Sequence, residues 1–177
     1  LVTRDYSSNI SKATCNRAIS WLYFSGIIGF CAKITEMDIL DFKPASRCFF
    51  MDLGVANYYL TLTGTDSRTL AGTLNENYVY INLKRRQDFP QEIAFETPAF
   101  ATYKGGEIDF VAQSLKSRIR YLIEVKSGKG TASTALKALE QGKADKLLYL
   151  KGNTKGGIAG NTITLPLYLL ERFRFDD

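Results

Sequence analysis

The chain contains no histidine among its 177 residues. This absence excludes Ser-His-Asp catalysis, Cys-His catalysis and His-ligated zinc, so that carboxylates, lysines, hydroxyl groups or a bound metal ion must carry any reaction. Lysine and glycine do occur together in the segment 151–157, but their order differs from that of the phosphate-binding loop Gly-x-x-x-x-Gly-Lys-Ser/Thr. We interpret this segment as a turn and assign no ATP site to the chain.

Cysteine is scarce, and no long apolar run is present. Cys15, Cys31 and Cys48 are odd in number, widely spaced and free of any Cys-x-x-Cys pair. We therefore expect reduced thiols in a cytoplasmic protein, with no disulfide framework or zinc site. No apolar stretch approaches the ~20 residues that span a bilayer, so no membrane association is expected. The chain does not begin with methionine, which predicts that it is part of a longer protein.

The formal net charge is +5, and the positive charge is concentrated in one half of the chain. The segment 104–155 holds 11 lysine and arginine residues against 5 aspartate and glutamate residues. A basic surface of this kind suits a polyanionic substrate such as DNA. A solvated basic face without a ligand remains the alternative, because charge alone does not separate the two.

The N-terminal pattern predicts a helix followed by a two-stranded ribbon. Ser11 is a suitable N-cap for a helix over 12–25, and strands are expected over 27–34 and 48–51. This arrangement is typical of the second half of a winged helix, although an ordinary helix–hairpin packing unit has the same pattern. In the winged-helix interpretation, two basic residues at the exposed start of the helix would contact DNA: Lys12 and Arg17.

From residue 69 onward the pattern predicts an α/β fold in the order helix, three antiparallel strands, helix, strand. The apolar stripe of the first helix and the alternation in the strands support this order. The last predicted strand contains Pro166, which is suited to the edge of a sheet. The predicted segments are 69–83, 93–103, 107–112, 119–126, 131–146 and 147–150, with a closing segment over 163–170.

The second and third predicted strands of the core are neighbours, and each carries an acidic residue. Strict alternation would place Ile108 and Phe110 on one face of the sheet and Asp109 on the other. The same alternation places Glu124 and Lys126 on one face of the next strand, so Asp109 and Glu124 are expected side by side.

Carboxylates at such a distance repel one another unless a cation lies between them. Mg²⁺ takes one or two carboxylates together with waters and phosphate oxygens, which matches Asp109 and Glu124. Glu76, on the preceding helix, could complete the metal shell, and Lys126 could orient or deprotonate the attacking water. The alternative is an amphipathic strand with a charged outer face, on which Glu124 and Lys126 form an ordinary surface ion pair.

The joint order of these motifs resembles the PD-(D/E)XK nuclease superfamily, whose core is restriction-endonuclease-like. More closely, the chain resembles the C-terminal region of prokaryotic AAA-type ATPases, in which an ATPase module precedes a winged helix and a nuclease-like domain. The resemblance covers nearly the whole chain, through short motifs. The matching stretches are Ser-Lys-Ala-Thr at 11–14, Gly-Ile-Ile at 26–28, Phe-Met-Asp-Leu-Gly at 50–54, Gly-Thr-Leu-Asn-Glu-Asn-Tyr at 72–78, Tyr-Lys-Gly-Gly-Glu-Ile-Asp-Phe at 103–110 and Ile-Glu-Val-Lys at 123–126.

This resemblance implies a role for each matching residue. Asp109 and Glu124 would be the ligands of a Mg²⁺ or Mn²⁺ ion, Lys126 the water-activating base and Glu76 an auxiliary acid. The proline that gives the superfamily its name is absent, and Ile108 stands in its place. Three further residues are weaker candidates for contact with DNA: Lys129, Gln141 and Lys143.

The resemblance also implies domain organisation and function. Residues 1–46 would form a partial winged helix, and residues 47–177 a nuclease-like domain that hydrolyses DNA with a divalent cation. The ATPase module would belong to the same natural polypeptide. Two alternatives remain open: a non-catalytic DNA-binding or regulatory module of that ATPase, and a structural oligomerisation domain.

Overall fold

The structure, a computed structural model, describes residues 11–37, 39–41, 47–88, 91–95, 97–127 and 131–175. Within these residues the chain forms five helices and nine strands in a mixed α/β arrangement. The α-helices are α1 (Lys12–Phe24), α2 (Leu53–Leu62), α3 (Ser67–Asp88) and α4 (Ser133–Glu140), and a 3₁₀ helix covers Leu167–Arg172. The strands are β1 (Ile28–Thr35), β2 (Ile39–Asp41), β3 (Arg47–Phe50), β4 (Ala99–Tyr103), β5 (Gly106–Gln113), β6 (Arg120–Lys126), β7 (Lys146–Lys151), β8 (Gly157–Ala159) and β9 (Thr162–Pro166).

The described strands form a single mixed sheet. Their order is β2-β1-β4-β5-β6-β7-β9-β8, and β3 pairs with β1 beside this path. The pairs β1–β4, β6–β7 and β7–β9 are parallel, and the other pairs are antiparallel. The predicted order of helix, three strands, helix and strand is therefore present in α3, β4, β5, β6, α4 and β7.

β6 is apolar on both sides, so both faces of the sheet must be covered, and helices cover them. Tyr121 and Ile123 belong to a buried cluster that includes Val79 and Leu83 of α3. Leu122 belongs to a second cluster, which includes the small residues of α4 and the alanine before it. Residues 120–126 thus lie at the centre of a three-layer structure. Polar side chains on this strand are therefore buried or partly buried.

Two predicted boundaries are wrong. The helix predicted over 131–146 ends at Glu140, because Gly142 adopts a left-handed conformation with a φ of 69° and stops it. The strand predicted over 93–103 begins only at Ala99, and Ile93 makes an isolated bridge to Ser114. As a result, the second half of the predicted helix is a loop followed by the start of β7.

The N-terminal segment forms the predicted helix and ribbon. The hydroxyl of Ser11 caps α1 by accepting a 3.1 Å hydrogen bond from the backbone N–H of Thr14. No residue of α1 is buried. β1 pairs with β3 on one side and with β4 on the other, so the ribbon is hydrogen-bonded to the central sheet. The predicted domain boundary at residue 46 lies outside the described residues and stays a prediction.

No helix among the described residues is both long enough and apolar enough to span a membrane.

Candidate active site

An irregularity in β5 sets the position of Asp109. Ala101 of β4 pairs with Ile108, and Ala99 pairs with Val111, so β5 contains one more residue than β4 over this stretch. Such a bulge turns the side chains on either side of it toward different faces. Ile108 consequently packs in the cluster that contains α4 residues, whereas Phe110 packs in the cluster that contains α3 residues. The prediction that these two residues share one face is wrong.

Asp109 and Glu124 lie on adjacent antiparallel strands, as predicted. The β5–β6 ladder runs from the Gln113–Arg120 pair to the Phe110–Ile123 pair. At its end the backbone N–H of Val125 donates a 2.8 Å hydrogen bond to Oδ2 of Asp109. The carboxylate thus takes a hydrogen bond from the neighbouring strand, which fixes the carboxylate beside the end of β6.

The ammonium group of Lys126 joins the two carboxylates. Its Nζ lies 3.2 Å from Oδ2 of Asp109 and 2.8 Å from Oε2 of Glu124. The side chain of Glu124 is only 3% exposed and that of Asp109 13%, whereas that of Lys126 is 27% exposed. Charges at such short range and low exposure interact more strongly than surface ion pairs do. This cluster is therefore more than a charged outer face of an amphipathic strand.

The environment shifts the pKa of both Glu124 and Lys126. Burial, together with the negative charge of Asp109, raises the pKa of Glu124 to about 7, although the contact with Lys126 lowers it. Burial lowers the pKa of Lys126, but the hydrogen bond to Glu124 and the charges of both carboxylates outweigh this effect and raise the pKa above its ordinary value. With a raised pKa, Lys126 is a cation near neutral pH, and the Glu124 carboxyl beside it has a pKa of about 7.

Glu76 of α3 approaches the cluster, as predicted, and meets an arginine. Burial raises the pKa of Glu76, and the charge of Asp109 raises it further. Nη1 of Arg47 lies 3.9 Å from Oε2 of Glu76, and Nη2 donates a hydrogen bond to Glu107. The guanidinium also lies over the ring of Phe100, 4.6 Å from its centroid. Arg47 therefore contacts both Glu76 and Glu107, and the charges of Arg47 and Lys126 both lower the pKa of Glu76 against the larger effect of burial.

Two residues of the site were missed by sequence reasoning. Arg47 lies on β3, 60 residues before Glu107, and nothing in the local sequence connects them. Its Nη1 is buried without a hydrogen-bond partner among the described residues, which leaves a donor beside the carboxylates. Tyr149 pairs with Glu124 across the β6–β7 ladder. Burial raises the pKa of the Tyr149 hydroxyl.

The residues fit a metal site with two carboxylates. Among the described residues, no group of three or more histidine, cysteine, aspartate or glutamate residues is placed to hold a metal ion. Glu76 faces Arg47, and its part in the metal shell stays a prediction. Asp109 and Glu124 remain, and Mg²⁺ requires only one or two carboxylates when waters and phosphate oxygens complete its octahedron.

The residues predicted to contact DNA lie on different elements of the fold. Lys12 and Arg17 are exposed on α1. Gln141 is the C-cap of α4, and its side chain accepts a hydrogen bond from the hydroxyl of Tyr103. Lys143 is partly buried in the loop after α4, so it does not lie on the helix where it was predicted. Lys129 lies outside the described residues.

A family model matches residues 71–170, and its description is "Domain of unknown function (DUF4143)". The chain belongs to the DUF4143 family. The DUF4143 match is consistent with the resemblance to the C-terminal region of AAA-type ATPases. It contains Glu76, Asp109, Glu124 and Lys126, and it begins after Arg47. The comparisons with curated proteins and with solved structures find no match to this DUF4143 chain.

Proposed function

We propose that this chain hydrolyses DNA phosphodiester bonds with the help of a divalent cation held by Asp109 and Glu124. The observation that carries the proposal is the placement of one ammonium group, Nζ of Lys126, within 3.2 Å of both carboxylates. These three side chains come from adjacent strands and meet at the end of their ladder. An acidic pair with a neighbouring lysine is the donor set that metal-dependent phosphoryl chemistry uses.

The order of elements supports a restriction-endonuclease-like core. α3 precedes the antiparallel strands β4, β5 and β6, and α4 then leads to β7, which pairs in parallel with β6. This is the order expected of the PD-(D/E)XK superfamily. Asp109 lies on the second of these strands and Glu124 on the third, as the resemblance implies.

The charges of the site favour the binding of a cation. Among the described residues, four carboxylates meet there, from Glu76, Glu107, Asp109 and Glu124, and two cations pair with them, Arg47 and Lys126. The carboxylates therefore exceed the cations by two when all are ionised. A divalent cation bound by Asp109 and Glu124 would acidify a bound water and neutralise charge that develops on the phosphate. The same cation would remove the repulsion that raises the pKa of Glu124.

Lys126 has two roles available, and the charge of the carboxylates decides between them. While Asp109 and Glu124 attract its ammonium group, its pKa is raised, so it donates hydrogen bonds and does not accept protons. Neutralising the two carboxylates removes this attraction and lowers the pKa of Lys126. Lys126 then orients the attacking water and can take its proton.

Helix α1 supplies a second surface on which DNA could dock in a winged-helix arrangement. Lys12 and Arg17 are exposed on α1, which is capped by Ser11 and leads into the β1–β3 ribbon. The basic segment 104–155 supplies further cations. Contacts to phosphates from both regions would hold DNA without reading its sequence.

A non-catalytic DNA-binding or regulatory module is the second candidate function. The observation that favours it is that the ammonium group of Lys126 already pairs with both carboxylates and lies between them. In this case the acidic pair would be structural, and the basic surfaces would bind DNA or govern the attached ATPase.

Cleavage of supercoiled plasmid DNA distinguishes the two functions. The parent should nick or linearise the plasmid with Mg²⁺ or Mn²⁺ and should be inert in EDTA. Asp109→Asn, Glu124→Gln and Lys126→Met should each slow cleavage by about 10²-fold or more, the size of effect that loss of a proton-transfer group produces. Glu140→Gln is the matched control, because Glu140 is an exposed carboxylate on α4.

Two results would contradict hydrolysis at this site. If Glu124→Gln cleaves as fast as Glu140→Gln, the activity comes from elsewhere. If the parent is inert with both metals on supercoiled, linear and single-stranded DNA, the non-catalytic module becomes the better account.

A further inference from the structure

An open cavity lies at the β8–β9 edge of the sheet, away from the carboxylates. Its volume is about 730 Å³, which falls within the range of ~300–1,000 Å³ typical of small-molecule sites. The floor is apolar and includes Ile163 and Leu165 of β9 and Phe173, which follows the 3₁₀ helix. All three pack against the buried cluster that contains α3 residues.

Four cationic residues line this cavity: Lys146, Lys155, Arg172 and Arg174. None of the lining residues that the structure describes is acidic. Among the described residues, Lys155, Arg172 and Arg174 form no ion pair. Lys146 lies above the ring of Tyr121, with Nζ 5.7 Å from the centroid. Several positive charges around one concave apolar surface create a field that attracts an anion.

The end of the glycine-rich segment interpreted above as a turn, residues 155–157, lines the cavity. Gly156 has a φ of +77°, and a Cβ at this position would lie 3.1 Å from the carbonyl oxygen of Thr164. The hydroxyl of Thr154 accepts a 3.1 Å hydrogen bond from the N–H of Gly156. Glycine permits this close approach to β9, and the preceding residue, Lys155, lines the same cavity as the two arginines.

We propose that this cavity binds a phosphorylated nucleotide, either free or at the end of a DNA strand. The guanidinium groups of Arg172 and Arg174 match the geometry of phosphate oxygens. The apolar floor beside Phe173 provides the surface on which a base or sugar packs. An acidic peptide would satisfy the cations but would leave this apolar floor uncovered.

The cavity is separate from the proposed hydrolytic site. Its floor residue Ile163 pairs with Leu148, which belongs to the cluster on the α3 face. Glu124 lies two residues after Leu122, and Leu122 belongs to the cluster on the opposite face. Nucleotide binding here therefore stands independently of hydrolysis at Asp109 and Glu124.

Fluorescence anisotropy with a labelled, 5′-phosphorylated oligothymidylate tests the proposal. EDTA in the buffer prevents metal-dependent cleavage. The parent should bind the probe saturably, and Arg172→Gln/Arg174→Gln should weaken binding by about tenfold or more, because two charge-assisted contacts are lost. Arg68→Gln/Arg85→Gln is the matched control, because it removes the same charge from exposed positions on α3 and should change the affinity by less than about twofold. Lys155→Gln tests the same cavity through a lining residue of a different segment, in case the double arginine variant does not fold.

Unlabelled competitors identify the ligand. Displacement by ADP supports a free nucleotide, and displacement only by 5′-phosphorylated strands supports a strand end. The proposal is overturned if the parent does not bind saturably, or if the α3 control weakens binding as much as the cavity variants do. It is also overturned if pyrophosphate or a hexaglutamate peptide competes as well as ADP and the strand, because the cavity would then recognise negative charge alone.

Discussion

The backbone N–H of Val125 donates a hydrogen bond to the side chain of Asp109, at the point where the β5–β6 ladder ends. A buried backbone donor needs a partner, and here a carboxylate supplies it in place of a backbone carbonyl. This hydrogen bond from the neighbouring strand fixes the Asp109 carboxylate, which would otherwise be free to rotate. The same oxygen also contacts Lys126, whose ammonium group in turn contacts Glu124, so the acidic pair and the lysine form one connected cluster.

We predict that replacing the two charged neighbours of Glu124, Lys126 and Asp109, shifts the pKa of Glu124 in opposite directions. Lys126→Met removes the cation that lowers the pKa of Glu124 and should raise it above about 7. Asp109→Asn removes the nearby negative charge and should lower the pKa of Glu124. Carbon-13 NMR titration of the glutamate carboxyl groups in EDTA measures both effects. Shifts of the same sign in the two variants would contradict the described cluster.

We predict that the metal-free protein loses stability as the pH rises from about 4.5 to about 7. Glu124 has an ordinary pKa of 4.5 and a raised pKa of about 7 in the folded protein, so the folded state binds more protons within this window. The free energy of unfolding therefore falls as the pH rises across the window, and the loss is complete above it. The pKa of Glu76 is also raised, which acts in the same direction.

Urea unfolding at several pH values in EDTA measures this dependence. The slope between pH 4.5 and 7 should be smaller in Glu124→Gln than in the parent, whereas Glu140→Gln should retain the slope of the parent. Equal slopes in the parent and Glu124→Gln would show that Glu124 titrates normally in the folded state.

We predict that Arg86 is essential for stability. Nη1 of Arg86 contacts Glu92 at 2.7 Å, and the two side chains are only 7% and 6% exposed. The same guanidinium donates 2.7 Å hydrogen bonds to the carbonyl oxygens of Leu170 and Phe173, so it ties α3 to the C-terminal segment. Arg86→Met leaves Glu92 buried and unpaired and should lower the free energy of unfolding by about 3–5 kcal/mol.

The exposed ion pair on the same helix is the control for this prediction. Nζ of Lys84 lies 2.6 Å from Oδ1 of Asp88, four residues further along α3. Lys84→Met should cost less than about 1 kcal/mol in urea unfolding, because exposed ion pairs contribute little. A loss below about 1 kcal/mol for Arg86→Met as well would mean that the buried pair is dispensable.

The acidic pair could be predicted from the sequence because the contacts that form it are local. A short connection joins β5 to β6, and the alternation of apolar residues in β6 places Glu124 and Lys126 on one face. The bulge at Asp109 could not be predicted, because it depends on the register in which β5 pairs with β4. Arg47 was missed for a related reason: its partner Glu107 is 60 residues away. Gly142 did carry the signal for the end of α4, but the helix was predicted to continue through it to residue 146.

We predict that α1 contributes to DNA binding through its charges. Lys12→Gln/Arg17→Gln should weaken binding to duplex DNA and should reduce the slope of log K against log salt by up to about 1.8, because each phosphate contact contributes roughly 0.9. Arg68→Gln/Arg85→Gln should leave the slope unchanged. A titration in low salt measures both slopes. If the α1 variant binds as the parent does, α1 is a packing helix and not a recognition helix.

The central claim is that Asp109 and Glu124 hold a divalent cation, and a crystal soaked in Mn²⁺ tests it most directly. The account predicts anomalous density at about 2.1 Å from carboxylate oxygens of both residues, with Nζ of Lys126 displaced from at least one of them. A crystal of Glu124→Gln, soaked in the same way, should lack this density. Nζ of Lys126 remaining between the two carboxylates at saturating Mn²⁺, with no density beside them, would contradict the claim.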